Sequence, residues 1–193
     1  MNTNKENFKL WFCNVIESLY GNKNAGFSIL MLTFPLLERY LRSKSNTPEN
    51  SVLGPPFYDE LVKLFPVLKD NVDNITAKNF WQVYRNGILH QATLSQRDNK
   101  GIKMPDGWLS GEKKDIEIDQ GAFWVNPVEF TRRVIDIIDK DFSNFEAPGS
   151  SSHPLAIEQS SSDGFYGTSG SGTRMPSSII NQCPQFHKQK PKP

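Results

Sequence analysis

The sequence predicts an all-α domain, an up-and-down bundle of about five helices with a small β-hairpin or irregular insertion before the last helix. Three observations lead there. Apolar residues recur at helical spacing through most of the first 146 residues. Between about Lys100 and Val125 the period changes, and Gly and Pro interrupt short apolar runs. From Ala147 onward the composition turns to Ser, Pro and Gly without period, as expected of a chain that cannot bury enough apolar surface to offset its ordering entropy.

The first helix is expected over Phe8 to Leu19, where Phe8, Trp11, Phe12, Val15, Ile16 and Leu19 share one face and Gly21-Asn22 follows as a stop. The second, about Ala25 to Lys44, is apolar nearly all round as far as Leu37, the pattern of a central helix. Pro35 should bend it. Ser43 to Pro56 is a loop by composition. A third helix, about Phe57 to Asp70, carries Leu61, Leu64, Phe65 and Leu68 on one side, with Pro66 placed to split it. Thr76 is the expected N-cap of a fourth, about Ala77 to Ala92, whose inner face would be Phe80, Trp81, Tyr84, Ile88 and Leu89. In the insertion, Asp115 to Asp119 alternates strictly, as a half-buried strand does. Asn126-Pro127 supplies a cap and a first-turn proline for the last helix, which runs to about Phe145 with Val128, Val134, Ile135, Ile138 and Phe142 inward. Residues 1–146 thus form one domain, and 147–193 a disordered tail.

The formal net charge is +1, too small for a broad nucleic-acid-binding surface. The tail holds four Lys and Arg against two Asp and Glu, which leaves the first 146 residues near neutral. Any contact with nucleic acid would be local. Cys13 and Cys183 lie far apart, which argues against a disulfide framework and a zinc site and for a reduced, cytoplasmic setting. The polar start lacks the layout of a secretory signal. The longest apolar stretch, Phe27 to Leu37, is too short to span a bilayer, which takes ~20 residues.

Chemistry concentrates in Arg85-Asn86-Gly87-Ile88-Leu89-His90. Arginine is a permanent cation whose planar fork suits phosphate. Histidine can give or take a proton near neutrality. Together they could hold a phosphodiester and move protons on it without a metal. The spacing is awkward, because five residues of a straight α-helix turn ~140° about the axis. A bend at Gly87, or the same helix of a second subunit, would be needed to bring the two together. The plainer reading makes Arg85 a surface cation and His90 a helix-end residue favoured by the dipole.

The pattern of Arg, a polar residue, a short spacer and His late in a helix resembles the HEPN (higher eukaryotes and prokaryotes nucleotide-binding) superfamily. Arg85, Asn86 and His90 match the shortest form of its motif, and Trp108 and Asn126-Pro127 follow in similar element order. The resemblance covers about residues 8–145, with only the motif specific. It implies a metal-independent endoribonuclease, of the kind found in toxin–antitoxin, abortive-infection and CRISPR-linked systems, and no cofactor. It implies a homodimer with two motifs across one cleft, and an antitoxin or other protein as a further partner. Arg85 would stabilise the scissile phosphate, His90 would serve as general acid or base, and Asn86 would orient one of them. The products would be a 2′,3′-cyclic phosphate and a 5′-hydroxyl. Other members are non-catalytic modules that dimerise and bind a partner or nucleotide, which is the alternative expectation here.

Around this motif, Glu38 reads first as a helix-end ion pair with its neighbouring arginines and second as an acidic partner of the motif. Arg97 and Lys100 are placed to contact phosphate if they are more than solvated loop cations. Tyr84 could stack on a base but fits the core stripe better. Trp108 and Trp124 read as buried anchors of the insertion rather than a stacking platform. His153 and His187 lack neighbouring ligands, and the acidic stretches Asp115 to Asp119 and Asp136 to Asp141 read as solvated faces. The chain has neither a phosphate-cradling Gly loop nor a Gly-x-Ser-x-Gly elbow.

Overall fold

The structure is a computed structural model that describes residues 4–71, 73–94 and 103–146. The expected tail, 147–193, lies outside these residues, as do Cys183, His153 and His187.

Helices α1 (Asn4–Phe8) and α2 (Asn14–Glu17) are joined without a break by a wider π-helical stretch, Lys9–Cys13. The π winding changes which side chains face inward. Phe8 and Cys13, five apart, are buried together with Ile16, while Trp11 and Val15 of the expected inner face are 41% and 49% exposed. Helix α3 (Gly26–Lys44) is the central one and packs against α4 (Pro55–Leu64), α6 (Pro127–Lys140) and α7 (Phe142–Glu146). The Phe34 ring of α3 meets Phe80, Trp81, Tyr84 and Phe130, which joins three helices in one aromatic core. Pro66 does split the third helix: α4 ends at Leu64 and a single 3-10 turn, Pro66–Leu68, follows.

The fourth helix begins as α5 (Ile75–Trp81) and continues as a π-helix, Gln82–Gln91, that stops where Ala92 turns left-handed. Thr76 is not its cap. Asn74 holds that position in a left-handed conformation, and the Asp70 carboxylate accepts the Thr76 amide proton instead. The last helix breaks at Asp141, whose carboxylate receives bonds from Tyr40 (2.8 Å), Lys44 (2.9 Å) and Asn144 (2.6 Å).

The all-α expectation is overturned by a three-stranded mixed sheet, so the domain is mostly helical with a small sheet. Strands β2 (Ile116–Asp119) and β3 (Ala122–Val125) form the expected hairpin, closed by Gln120 and Gly121, both with positive φ as a two-residue turn of this hand requires. The unforeseen strand is β1 (Gly107–Leu109), which pairs parallel to β3 and gives the order β1-β3-β2. It lies so close to the π-helix that a Cβ on Gly107 would sit 2.6 Å from Val83 Cγ1. Asn126 ties sheet to helix. Its Oδ1 accepts from the Val128 and Glu129 amides and its Nδ2 donates to the Gly111 and Lys113 carbonyls, so this buried amide leaves no polar atom unmatched. Among the described residues no helix is long and apolar enough to cross a membrane.

Candidate functional site

Arg85 and His90 meet within one helix. Arg85 Nη1 lies 2.9 Å from His90 Nε2. No bend at Gly87 is required, because the segment from Gln82 to Gln91 winds with i→i+5 bonds. That winding turns less per residue than an α-helix, which brings residues five apart closer in angle and within reach of one another. The terminating bond is of the same type, from the Ala92 amide to the Gly87 carbonyl.

The surrounding bonds fix the guanidinium. Arg85 Nε donates to Glu38 Oε2 at 2.8 Å, and Nη1 also reaches Asn86 Oδ1 at 3.1 Å. Asn86 Nδ2 donates in turn to Gln82 Oε1 at 2.8 Å, one turn earlier. Glu38 is shared: its Oε1 accepts from Arg42 Nε at 2.9 Å, and Arg42 Nη1 continues to the Pro48 carbonyl at 2.6 Å. The Glu38 side chain is only 13% exposed and Arg85 25%, so the pair is shielded, whereas His90 faces solvent. Glu38 therefore pairs both with Arg42, one turn on in its own helix, and with Arg85 across the helix interface. Arg97 and Lys100 lie outside the described residues.

Tyr84 is buried, as its place in the apolar stripe predicts. Its hydroxyl accepts from the Trp108 amide (3.1 Å) and faces the carbonyls of Trp108 (2.9 Å) and Phe123 (3.0 Å), clamping β1 and β3 to the π-helix. Burial pushes that hydroxyl well above the usual phenol range, against the opposing bond to Trp108. It stays protonated and structural.

No family model, no curated protein and no solved structure matches this chain.

Cys13 is buried, and burial pushes its thiol up to about 11, so it is no nucleophile at neutral pH. Asp115 is paired with Arg133, Asp136 with Lys140 and Asp139 with Lys5 and Lys9. Among the described residues no cluster of three or more His, Cys, Asp or Glu is placed to hold a metal ion. Sequence reasoning missed two features. Gln82 orients Asn86, and its signal was the (i, i+4) spacing of two amides. Trp108, read as a buried anchor, is half exposed and stacks on Trp124.

Proposed function

We propose that this chain is a metal-independent endoribonuclease of the HEPN-like type, acting in the cytoplasm as a toxin or phage-defence effector. The observation that carries the reading is the 2.9 Å approach of Arg85 Nη1 to the solvent-facing His90 Nε2, with Glu38 holding the guanidinium from behind. Arginine has only protons to donate, so Nε2 is the acceptor and the ring proton lies on Nδ1. A phosphodiester that takes the Arg85 Nη1–H frees the Nε2 lone pair beside it. His90 then removes the RNA 2′-hydroxyl proton, the 2′-oxygen bonds to phosphorus, and the P–O5′ bond breaks. Arg85 neutralises charge on the phosphoryl oxygens in the transition state. The 5′-oxygen leaves as a hydroxyl with a proton from water, and the other product is a 2′,3′-cyclic phosphate.

The test is incubation of purified protein with labelled single-stranded RNA in excess EDTA, beside the Arg85→Ala/His90→Ala double variant. Cleavage to cyclic-phosphate ends by the wild type alone is expected. Equal inertness of both would overturn the proposal.

The second reading is a non-catalytic module that dimerises and binds a protein partner or a nucleotide. It is favoured by the apolar side chains on the outside of α3, Phe27, Met31 and Leu32, which run toward Glu38 at helical spacing. A homodimer over this face suits either reading, and sedimentation of wild type against Met31→Glu/Leu32→Glu tests it.

A further inference from the structure

The sheet has two unlike faces. Inward point Phe123, Val125 and Ile116, all buried. Outward, the strand register sets Trp108 beside Trp124 and Trp124 beside Glu117, in one row across all three strands. The two indoles are stacked, with centroids 5.9 Å apart and planes 25° from parallel. Lys113 Nζ stands 5.6 Å from the Trp124 centroid and is held there by Glu117 at 3.1 Å. Trp108 remains 51% exposed. Leaving an indole half in water forgoes much of its hydrophobic stabilisation.

The backbone beneath this exposed ring is unusually well fixed for a surface residue. The Trp108 amide donates to the buried Tyr84 hydroxyl, the Trp108 carbonyl faces the same hydroxyl at 2.9 Å, and the strand pairs with β3. A rigid aromatic surface binds a flat guest with little ordering cost. Tyr84 is also the residue immediately before Arg85, so the surface is bolted to the helix that carries the candidate site.

We propose that the outer face of the sheet is a stacking platform for an unpaired nucleobase of single-stranded RNA, with the base laid on Trp108 as a third ring of the Trp108–Trp124 stack. This rests on the ribonuclease reading for the identity of the guest. The apolar part of the face is two rings wide and bordered by the Lys113–Glu117 pair, which suits one planar group better than an extended apolar protein surface. Those charges are paired, so attraction to phosphate is slight and stacking supplies the affinity. Binding at this face is therefore sequence-tolerant, selective for unpaired bases and shallow in its salt dependence.

The experiment uses the full chain carrying Arg85→Ala and His90→Ala, which leaves RNA uncut, and fluorescence anisotropy of a labelled single-stranded oligoribonucleotide. Adding Trp108→Ala should weaken binding about 5- to 150-fold, the range expected for loss of one stacked base. Trp108→Phe should restore most of it, which a general folding defect would not. An oligonucleotide with abasic positions should bind the parent variant as weakly as the intact one binds Trp108→Ala. Equal affinity of parent and Trp108→Ala, equal binding of abasic or duplex RNA, or Trp108-dependent binding of an oligosaccharide but not RNA would each overturn the platform. Cleavage by the wild type is scored separately. RNA cleavage without Trp108 dependence sinks the platform alone, and Trp108-dependent binding without cleavage sinks the nuclease alone.

Discussion

His90 Nε2 lies 2.9 Å from Arg85 Nη1, and only the imidazole can be the acceptor in that contact. The arginine thereby selects the tautomer with its proton on Nδ1. In mildly alkaline solution, ¹⁵N NMR of the wild type should report that tautomer as dominant. Arg85→Ala should shift the population toward the Nε2–H form. An unchanged tautomer ratio would mean that the guanidinium does not set it.

Glu38 receives one guanidinium on each oxygen, Arg42 at 2.9 Å and Arg85 at 2.8 Å. Glu38→Gln keeps the shape but removes the charge that both arginines face. The shielded position predicts a stability loss of about 1–3 kcal/mol, read as a fall in the urea midpoint. Under the ribonuclease proposal Arg85 loses its anchor, and RNA cleavage should slow about 10- to 100-fold even where the variant is fully folded. A double-mutant cycle with Arg85→Gln should give clearly non-additive effects.

The close approach of β1 to the π-helix predicts a specific steric conflict. In Gly107→Ala the new methyl would meet Val83 Cγ1 at 2.6 Å, with the Leu94 carbonyl oxygen 3.3 Å away. The β-branched Val83 has little rotamer freedom, so the strand must move, at a cost of roughly 1–3 kcal/mol. Shortening the obstacle in Gly107→Ala/Val83→Ala should recover part of the melting temperature lost by Gly107→Ala. No recovery would place the conflict elsewhere.

Tyr84→Phe removes the buried oxygen that the Trp108 amide and the Trp108 and Phe123 carbonyls share, while the β1–β3 pairing stays in place. A loss of about 0.5–1.5 kcal/mol is expected, with faster hydrogen exchange at the Trp108 amide. Under the platform proposal the same variant should weaken RNA binding less than Trp108→Ala, since the indole remains and only its support loosens.

Asp141 should contribute to the acid sensitivity of the fold. Burial works to raise its carboxyl, but bonds from Asn144, Lys44 and Tyr40 outweigh that and hold it below the ordinary value. A depressed folded value stabilises the fold fully above the unfolded value of about 4 and loses that stabilisation as pH falls through the folded value. The group is partly exposed, so about 0.5–1 kcal/mol is at stake. The urea midpoints of wild type and Asp141→Asn should differ at neutral pH and converge well below pH 4.

The parts legible in the sequence were those set by neighbouring residues. Helix α3 was expected from Ala25 to Lys44 and runs Gly26–Lys44, because its apolar residues and Gly21-Asn22 before it are local signals. Pro66 broke a helix, Asn126 capped one, and Gly121 closed the hairpin, each through its own backbone or side-chain chemistry. The site's residue types, Arg85, Asn86 and His90, were visible as a string. How they meet was not. An α-helical wheel puts Arg85 and His90 on different faces, and nothing in the string announces an i→i+5 ladder. The same blind spot misassigned Trp11 and Val15 in the first helix.

Strand β1 was invisible because three residues, Gly107-Trp108-Leu109, carry no period, and a parallel partner is chosen by what lies across the sheet. The pairing of Glu38 with Arg85 spans 47 positions and exists only once α3 and the π-helix pack. The sequence by itself determined which segments are helical and which side chains can do acid–base and phosphate chemistry, since propensity and periodicity act over a few residues. The tertiary structure alone decided the mixed sheet, the exposure of Trp108 and the meeting of guanidinium, carboxylate and imidazole. Those depend on contacts between distant segments, whose energies no local pattern encodes.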